Sequence, residues 1–241
     1  GDHTNPTGLQ RWVEMQMVGP LPRRFTVHLL GRRAGQPPGT TMHDLAADVA
    51  TAITRELGGP VPLMGVSTGG SIALQVAIDH PSLVQRLVVV GAAARLSDAG
   101  RDAQRRLAEL TEQGRPRDAW ATVGRMSAGS ELGGRVMGAM MWLGGRASDP
   151  ADPSDMIVTI RAEDAFDVLD DLERITAPTL VVGGGRDRFY DQHVLRETAR
   201  RIPDATLVLY PTKGHAGVIT HRPAQRAILQ FLTDERVGPR A

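Results

Sequence analysis

Apolar residues along the chain gather into short runs, separated by longer stretches in which apolar and polar positions recur with helical spacing. Five runs have the length and β-branched content of buried parallel strands: 25–30 (FTVHLL), 61–66 (VPLMGV), 87–91 (LVVVG), 179–183 (TLVVG) and 206–210 (TLVLY). Between them, 42–57 carries Leu45, Val49, Ile53 and Leu57 on one helical face, with Thr41 placed as N-cap. Residues 68–80, 193–201 and 223–232 predict further helices. Strands alternating with helices predict an α/β fold, a mainly parallel sheet flanked by helices.

One region breaks this rhythm. From about 96 to 172 no strand is predicted, only helices over 101–113, 117–126, 132–143 and 162–172, with a loop over 148–155 (SDPADPSD). The expected organisation is therefore a core made of 1–95 and 173–241, interrupted by a helical cap over 96–172. Insertions of this kind, placed over strand ends, commonly cover binding sites.

Composition narrows the partners. The 241 residues fit one large α/β domain or two small ones, and can bury roughly 70–75% of the unfolded surface. With 28 basic and 27 acidic residues the net charge is +1, and the basic residues, nearly all Arg, are interleaved with Asp and Glu. No basic footprint for nucleic acid emerges. The absence of cysteine excludes disulfides, thiolate catalysis and Cys-based zinc sites within the chain. The longest apolar run, 87–94, is too short for a transmembrane helix, and the polar opening GDHTNP does not read as a secretory signal. No metal or cofactor is expected: there is no H-E-x-x-H, no P-loop and no dinucleotide fingerprint, and Gly183-Gly184-Gly185 does not open a helix.

The strongest chemical signal is G-x-S-x-G at Gly65-Val66-Ser67-Thr68-Gly69, directly after one predicted strand and directly before a predicted helix. A sharp strand-to-helix turn there would hold Ser67 in a strained conformation, and the helix N-terminus would set N–H groups beside its oxygen. A serine hydroxyl needs a base, and the base an orienting group. Asp187 comes after the end of the strand at 179–183, and His215 after the end of the strand at 206–210. All three residues thus sit at strand carboxyl ends, where open parallel sheets assemble their sites, in the chain order Ser, Asp, His.

From 25 to 232 the chain resembles the α/β-hydrolase fold family, and the helical insertion matches that family's cap. The resemblance implies Ser67 as nucleophile, His215 as general base and then acid, Asp187 as the residue orienting His215, and the Thr68 backbone N–H as half of an oxyanion hole. Serine at the nucleophile position argues against the epoxide-hydrolase and haloalkane-dehalogenase branches. The implied activity is hydrolysis of an ester, thioester or related acyl substrate through an acyl-enzyme. Alternatives on the same fold are a small-molecule binding or signalling protein with little turnover, and perhydrolase, carbon–carbon hydrolase or lyase chemistry. The implied partner is a small molecule with an apolar acyl or aromatic group, and the oligomeric state stays open.

Other residues compete for these roles. Asp191 is a second candidate to orient the histidine, and His221 is the rival to His215, although it lacks the strand-end position. His43 with Asp44 reads as a solvated pair at a helix start, His28 as a strand residue, and His80, before Pro81, as a helix end. His193 lies at a predicted helix start. Asp164 and Asp167 look like paired carboxylates but fit a solvated helix face. Met126, Met137, Met140, Met141, Trp142 and Leu143 form an apolar group in the insertion, fit for packing it down or for lining a pocket.

The resemblance also exposes a departure. Members of this family place three strands before the one at 25–30, and the third lies between that strand and 61–66 in the sheet. Gly1 aligns near the end of this third strand, so the expectation is that upstream residues precede it, with 1–4 nearest the oxyanion hole. The alternating segment 11–18 (RWVEMQMV) reads as a helix after the oxyanion loop, or as a strand filling the gap.

Overall fold

A computed structural model describes residues 8–144 and 152–234. Among these, four parallel strands form one sheet in the order β1 (Val61–Val66), β2 (Val84–Val90), β3 (Thr179–Gly184) and β4 (Ala205–Tyr210). Ten α-helices accompany them: α1 (Gly8–Val18), α2 (Met42–Ala52), α3 (Thr68–Asp79), α4 (Asp98–Glu112), α5 (Pro116–Ser127), α6 (Glu131–Gly144), α7 (Ser154–Asp164), α8 (Gln192–Arg201), α9 (His215–Ile219) and α10 (Arg222–Thr233). No helix among the described residues is long and apolar enough to cross a membrane.

The apolar runs become strands because both of their faces are covered. Leu87 and Val89 of β2 and Val181 of β3 join a core with α2, α3 and α8, while Val88, Val90, Leu180 and Val182 join a second core with Val18, Leu21, Ala224 and Ile228. Alternate side chains thus point into opposite layers, as a pleated strand requires. Parallel strands packed on both sides have no solvated face, so their sequence is a continuous apolar run. The Thr41 cap of α2 forms as expected, as a capping box in which the Thr41 hydroxyl accepts from the Asp44 N–H and the Asp44 carboxylate accepts from the Thr41 N–H.

Three expectations are corrected. Residues 25–30 do not form a strand: Val27, Leu29 and Leu30 lie exposed, and no strand among the described residues lies between this segment and β1 to give it a ladder. The helix expected over 162–172 instead runs Ser154–Asp164. Beyond it Asp167 bridges Arg95 and the Val168 N–H donates to the Ala94 carbonyl, which pins the chain to the other end of the insertion before a 3-10 stretch at Leu169–Arg174. The loop expected over 148–155 lies outside the described residues up to 151, and its last part already belongs to α7. Of the two readings of 11–18, the helix is the one that forms.

Candidate active site

The four strands end side by side, with Val66 opposite Val90, Val90 opposite Val182 and Gly184 opposite Tyr210. The turns leaving β1, β3 and β4 meet in front of the sheet. Ser67 comes directly after β1 and turns the chain into α3. It has φ 53° and ψ −129° and is the sole non-glycine residue with positive φ among those described. That conformation costs a residue with a Cβ of order 1–3 kcal/mol and is held by its surroundings. The Ser67 N–H donates to the Val90 carbonyl at 2.9 Å, and the Gly70 N–H donates to the Ser67 carbonyl at 2.6 Å.

The turn is possible because of two glycines. A Cβ on Gly65 would collide with the Gly69 carbonyl and come within 2.6 Å of Gly70 Cα, and one on Gly70 would come within 2.5 Å of Ala92 Cβ. Gly69, the second glycine of the motif, faces open space. Close packing therefore rests on Gly65 and Gly70.

Ser67 Oγ lies 2.9 Å from His215 Nε2, and His215 Nδ1 lies 2.8 Å from Asp187 Oδ2. An anionic carboxylate accepts from Nδ1–H, which leaves Nε2 as the acceptor for the serine hydroxyl. Asp187 is buried, and its second oxygen accepts from the Phe189 and Tyr190 N–H groups at 2.8 and 3.1 Å. These bonds set the carboxylate's plane toward the imidazole. The His215 ring packs against Phe189, with centroids 5.0 Å apart, and against Tyr190, stacked at 6.1 Å. The loops carrying Asp187 and His215 approach closely because Gly185 has no side chain: a Cβ there would stand 2.7 Å from Pro211 Cα.

Thr68 is the first residue of α3, so its N–H belongs to the helix's first-turn groups that have no partner within the helix. In front of Ser67 lies a cavity of about 270 Å³, lined on its apolar side by Leu107, Trp120, Val123, Met156 and Ile160 from α4, α5 and α7. His215, Thr68, Gln104 and Glu163 are among its polar lining, and Arg32 reaches it from the 26–33 segment.

Residues 3–222 match the α/β-hydrolase fold family. The chain belongs to that family. Among its named relatives is a Caulobacter sp. (strain K31) protein provisionally named carbamate hydrolase RutD, 29% identical over 187 residues, or 72% of this chain and 65% of the relative. The chain thus spans about two thirds of that relative's length. Another is the pimeloyl-(acyl-carrier protein) methyl ester esterase of Nitrosomonas europaea, 26% identical over 83% of this chain and 82% of its own. Among solved structures, the enol-lactonase from Burkholderia xenovorans LB400 superposes with a TM-score of 0.71 at 22% identity, covering 84% of this chain and 78% of its own. That likeness is one of fold.

Within this α/β-hydrolase fold, Ser67, His215 and Asp187 come together and their rivals do not. Asp191 spends its carboxylate on capping α8, accepting from the His193 and Val194 N–H groups at 2.9 and 3.0 Å. His221 packs edge-on against Tyr210, and burial, with Lys213 nearby, holds its pKa below the ordinary 6.5. His43 pairs not with Asp44 but with Asp79, at 2.7 Å, because Asp44 is bound to Thr41. His28 is exposed in the irregular 26–33 segment rather than within a strand. Asp164 and Asp167 face outward, where they pair with Arg105 and Arg95. None of the six apolar residues from Met126 to Leu143 lines the cavity: Met126 is buried in the core, and Met140 and Leu143 are exposed. Residues 1–4 lie outside the described ones, and among the described residues no three His, Asp or Glu side chains gather as a metal site.

One polar group of the site went unread in the sequence. Glu163, beside the outward Asp164, is buried and bound by four donors. The sign was present in the helix pattern: Met156, Thr159, Ile160 and Glu163 share one face of α7, and an acid on an otherwise apolar-to-neutral face needs buried partners.

Proposed function

We propose that the chain is a serine hydrolase that cleaves an ester or thioester of a small, largely apolar acyl group, with Ser67, His215 and Asp187 as its catalytic residues. The reading rests on one observation: Ser67 Oγ, in a strained turn at a helix N-terminus, is hydrogen-bonded to a histidine whose far nitrogen is bonded to a buried carboxylate. Family membership and the hydrolase and esterase names of its relatives support it.

Ser67 Oγ attacks the substrate carbonyl carbon as its proton passes to His215 Nε2. The imidazolium is stabilised by Asp187. The carbonyl oxygen becomes an oxyanion that accepts from the Thr68 N–H, an interaction of a kind worth about 2.7–4 kcal/mol in the transition state. Collapse expels the alcohol or thiol, which takes the proton from His215 and leaves an acyl group on Ser67. Water then gives a proton to His215 Nε2 as its oxygen adds to the acyl carbonyl, and collapse releases the acid as Ser67 Oγ takes that proton back. The cavity lies slightly below the roughly 300–1,000 Å³ of sites for drug-sized ligands, which favours short acyl groups. Residues 96–172 act as the cap that encloses this group, over a core of 1–95 and 173–241.

A fluorophosphonate probe tests the chemistry, together with p-nitrophenyl esters of increasing acyl length and Ser67→Ala as control. The expected result is a single adduct on Ser67 and turnover that falls as the acyl chain outgrows the cavity. Absence of label on the folded protein overturns the reading. Labelling without turnover of any ester would indicate a binding protein on the same fold.

A further inference from the structure

Glu163 is hydrogen-bonded to a neighbour of every member of the triad and to none of the three themselves. Its Oε2 accepts from Thr68 Oγ1 at 2.8 Å and from Gln104 Nε2 at 2.5 Å, and its Oε1 accepts from Ser71 Oγ at 3.0 Å and from the Tyr190 hydroxyl at 2.6 Å. Thr68 is next to Ser67 in sequence. Tyr190 donates its N–H to Asp187 and lays its ring along His215. The carboxylate itself comes from α7, and Gln104 from α4, so both belong to the helical insertion between β2 and β3.

Nothing about packing demands an acid here. Removing a carboxylate from water costs several kcal/mol, and a well-packed apolar side chain of similar size would commonly serve stability as well or better. An acid that only accepts, bound by four donors from three separate parts of the chain, does something an apolar side chain cannot. It fixes the rotation of each donor, and two of those donors set the nucleophile turn and the wall behind the base.

We infer that Glu163 is a positioning residue through which the helical insertion holds both Ser67's turn, by way of Thr68, and His215, by way of Tyr190, in reactive alignment. The inference deepens the serine-hydrolase reading and rests on it. It makes the insertion part of the catalytic apparatus, since movement of α7 relative to the sheet would misalign both reacting groups together.

The test uses Glu163→Gln in the full chain, with Thr68→Val and Tyr190→Phe, which each delete one arm and keep the backbone N–H groups. Rates of fluorophosphonate labelling, kcat and KM for p-nitrophenyl butyrate, and melting curves are measured for all. Glu163→Gln is expected to label to the wild-type end point but about 10- to 100-fold more slowly, with kcat lowered to match and KM within about twofold. Each single-arm variant is expected to be slowed less, and to be slowed little further when combined with Glu163→Gln. Labelling at the wild-type rate, or a loss that only tracks the folded fraction, overturns the inference while leaving Ser67 as nucleophile. If Glu163→Gln does not fold, the two single-arm variants decide: wild-type labelling rates in both overturn it. Wild-type protein that takes no label overturns the serine-hydrolase reading and this inference together.

Discussion

Gly65 and Gly70 are pressed together across the turn that carries Ser67, so that a Cβ on Gly65 would come within 2.6 Å of Gly70 Cα. Backbone cannot yield as a flexible side chain can. Gly65→Ala is therefore expected to destabilise the fold by about 1–3 kcal/mol and to shift the serine. Gly69, although part of the same motif, faces open space within the first turn of α3, and Gly69→Ala is expected to be neutral or to stabilise by up to about 1 kcal/mol. Urea unfolding of the two variants checks the contrast. Equal effects would mean that the motif's glycines act through something other than close approach.

The positive φ of Ser67 sets stability against activity at one residue. Ser67→Ala keeps the Cβ and hence the strain, whereas Ser67→Gly relieves it. Both are expected to lose at least about 10³-fold in esterase activity. The glycine variant is expected to melt higher than the alanine variant by the equivalent of about 1 kcal/mol or more. Differential scanning calorimetry of the pair measures this directly.

Asp187 and Asp191 are four positions apart and do different work. Asp187→Asn leaves His215 without its anionic partner and is expected to lower kcat by about 10⁴-fold with little change in fold. Asp191→Ala removes the N-cap of α8 and is expected to cost about 1 kcal/mol of stability while kcat stays within about twofold. A kcat loss in the second variant comparable to the first would reverse the assignment.

Tyr190 makes stability depend on alkaline pH. Burial, reinforced by Glu163 beside it, pushes its hydroxyl well above the ordinary 10.0, so the folded chain keeps a proton that the unfolded chain releases. Stability from this source is full below pH 10.0 and is lost as pH rises from there toward the folded value. The limiting slope is about 1.4 kcal/mol per pH unit for one proton. Tyr210, also raised by burial, adds in the same direction, and the chain has two tyrosines and no cysteine. Unfolding free energies measured between about pH 9 and pH 11.5 should fall with pH, and Tyr190→Phe should reduce the slope whatever its effect on absolute stability.

Most of the fold was legible because its rules are local. Four of the five apolar runs became strands, and α3, α8 and α10 lie within a few residues of where periodicity places them, whereas the short α9 that begins at His215 is not among the expected helices. The exception is instructive. FTVHLL has strand composition, yet a strand exists only through its neighbour, and a run of residues carries no record of whether that neighbour is beside it. The insertion was legible as helical but not in detail, because the end of α7 is decided by the bridge between Asp167 and Arg95 on the far side of the segment.

The parallel α/β architecture, and Ser67, Asp187 and His215 as candidates with Asp191 as a rival to Asp187, could be read from the chain alone, since strand ends and glycine turns are written in adjacent residues. It took the folded arrangement to make Asp187 rather than Asp191 face the imidazole, and Gly70 rather than Gly69 the crowded glycine. The same arrangement brought Glu163 of α7 under Thr68 and Tyr190. One cause accounts for all three. A hydrogen bond or a steric contact between distant segments depends on angles accumulated along the whole intervening chain, which local spacing does not encode.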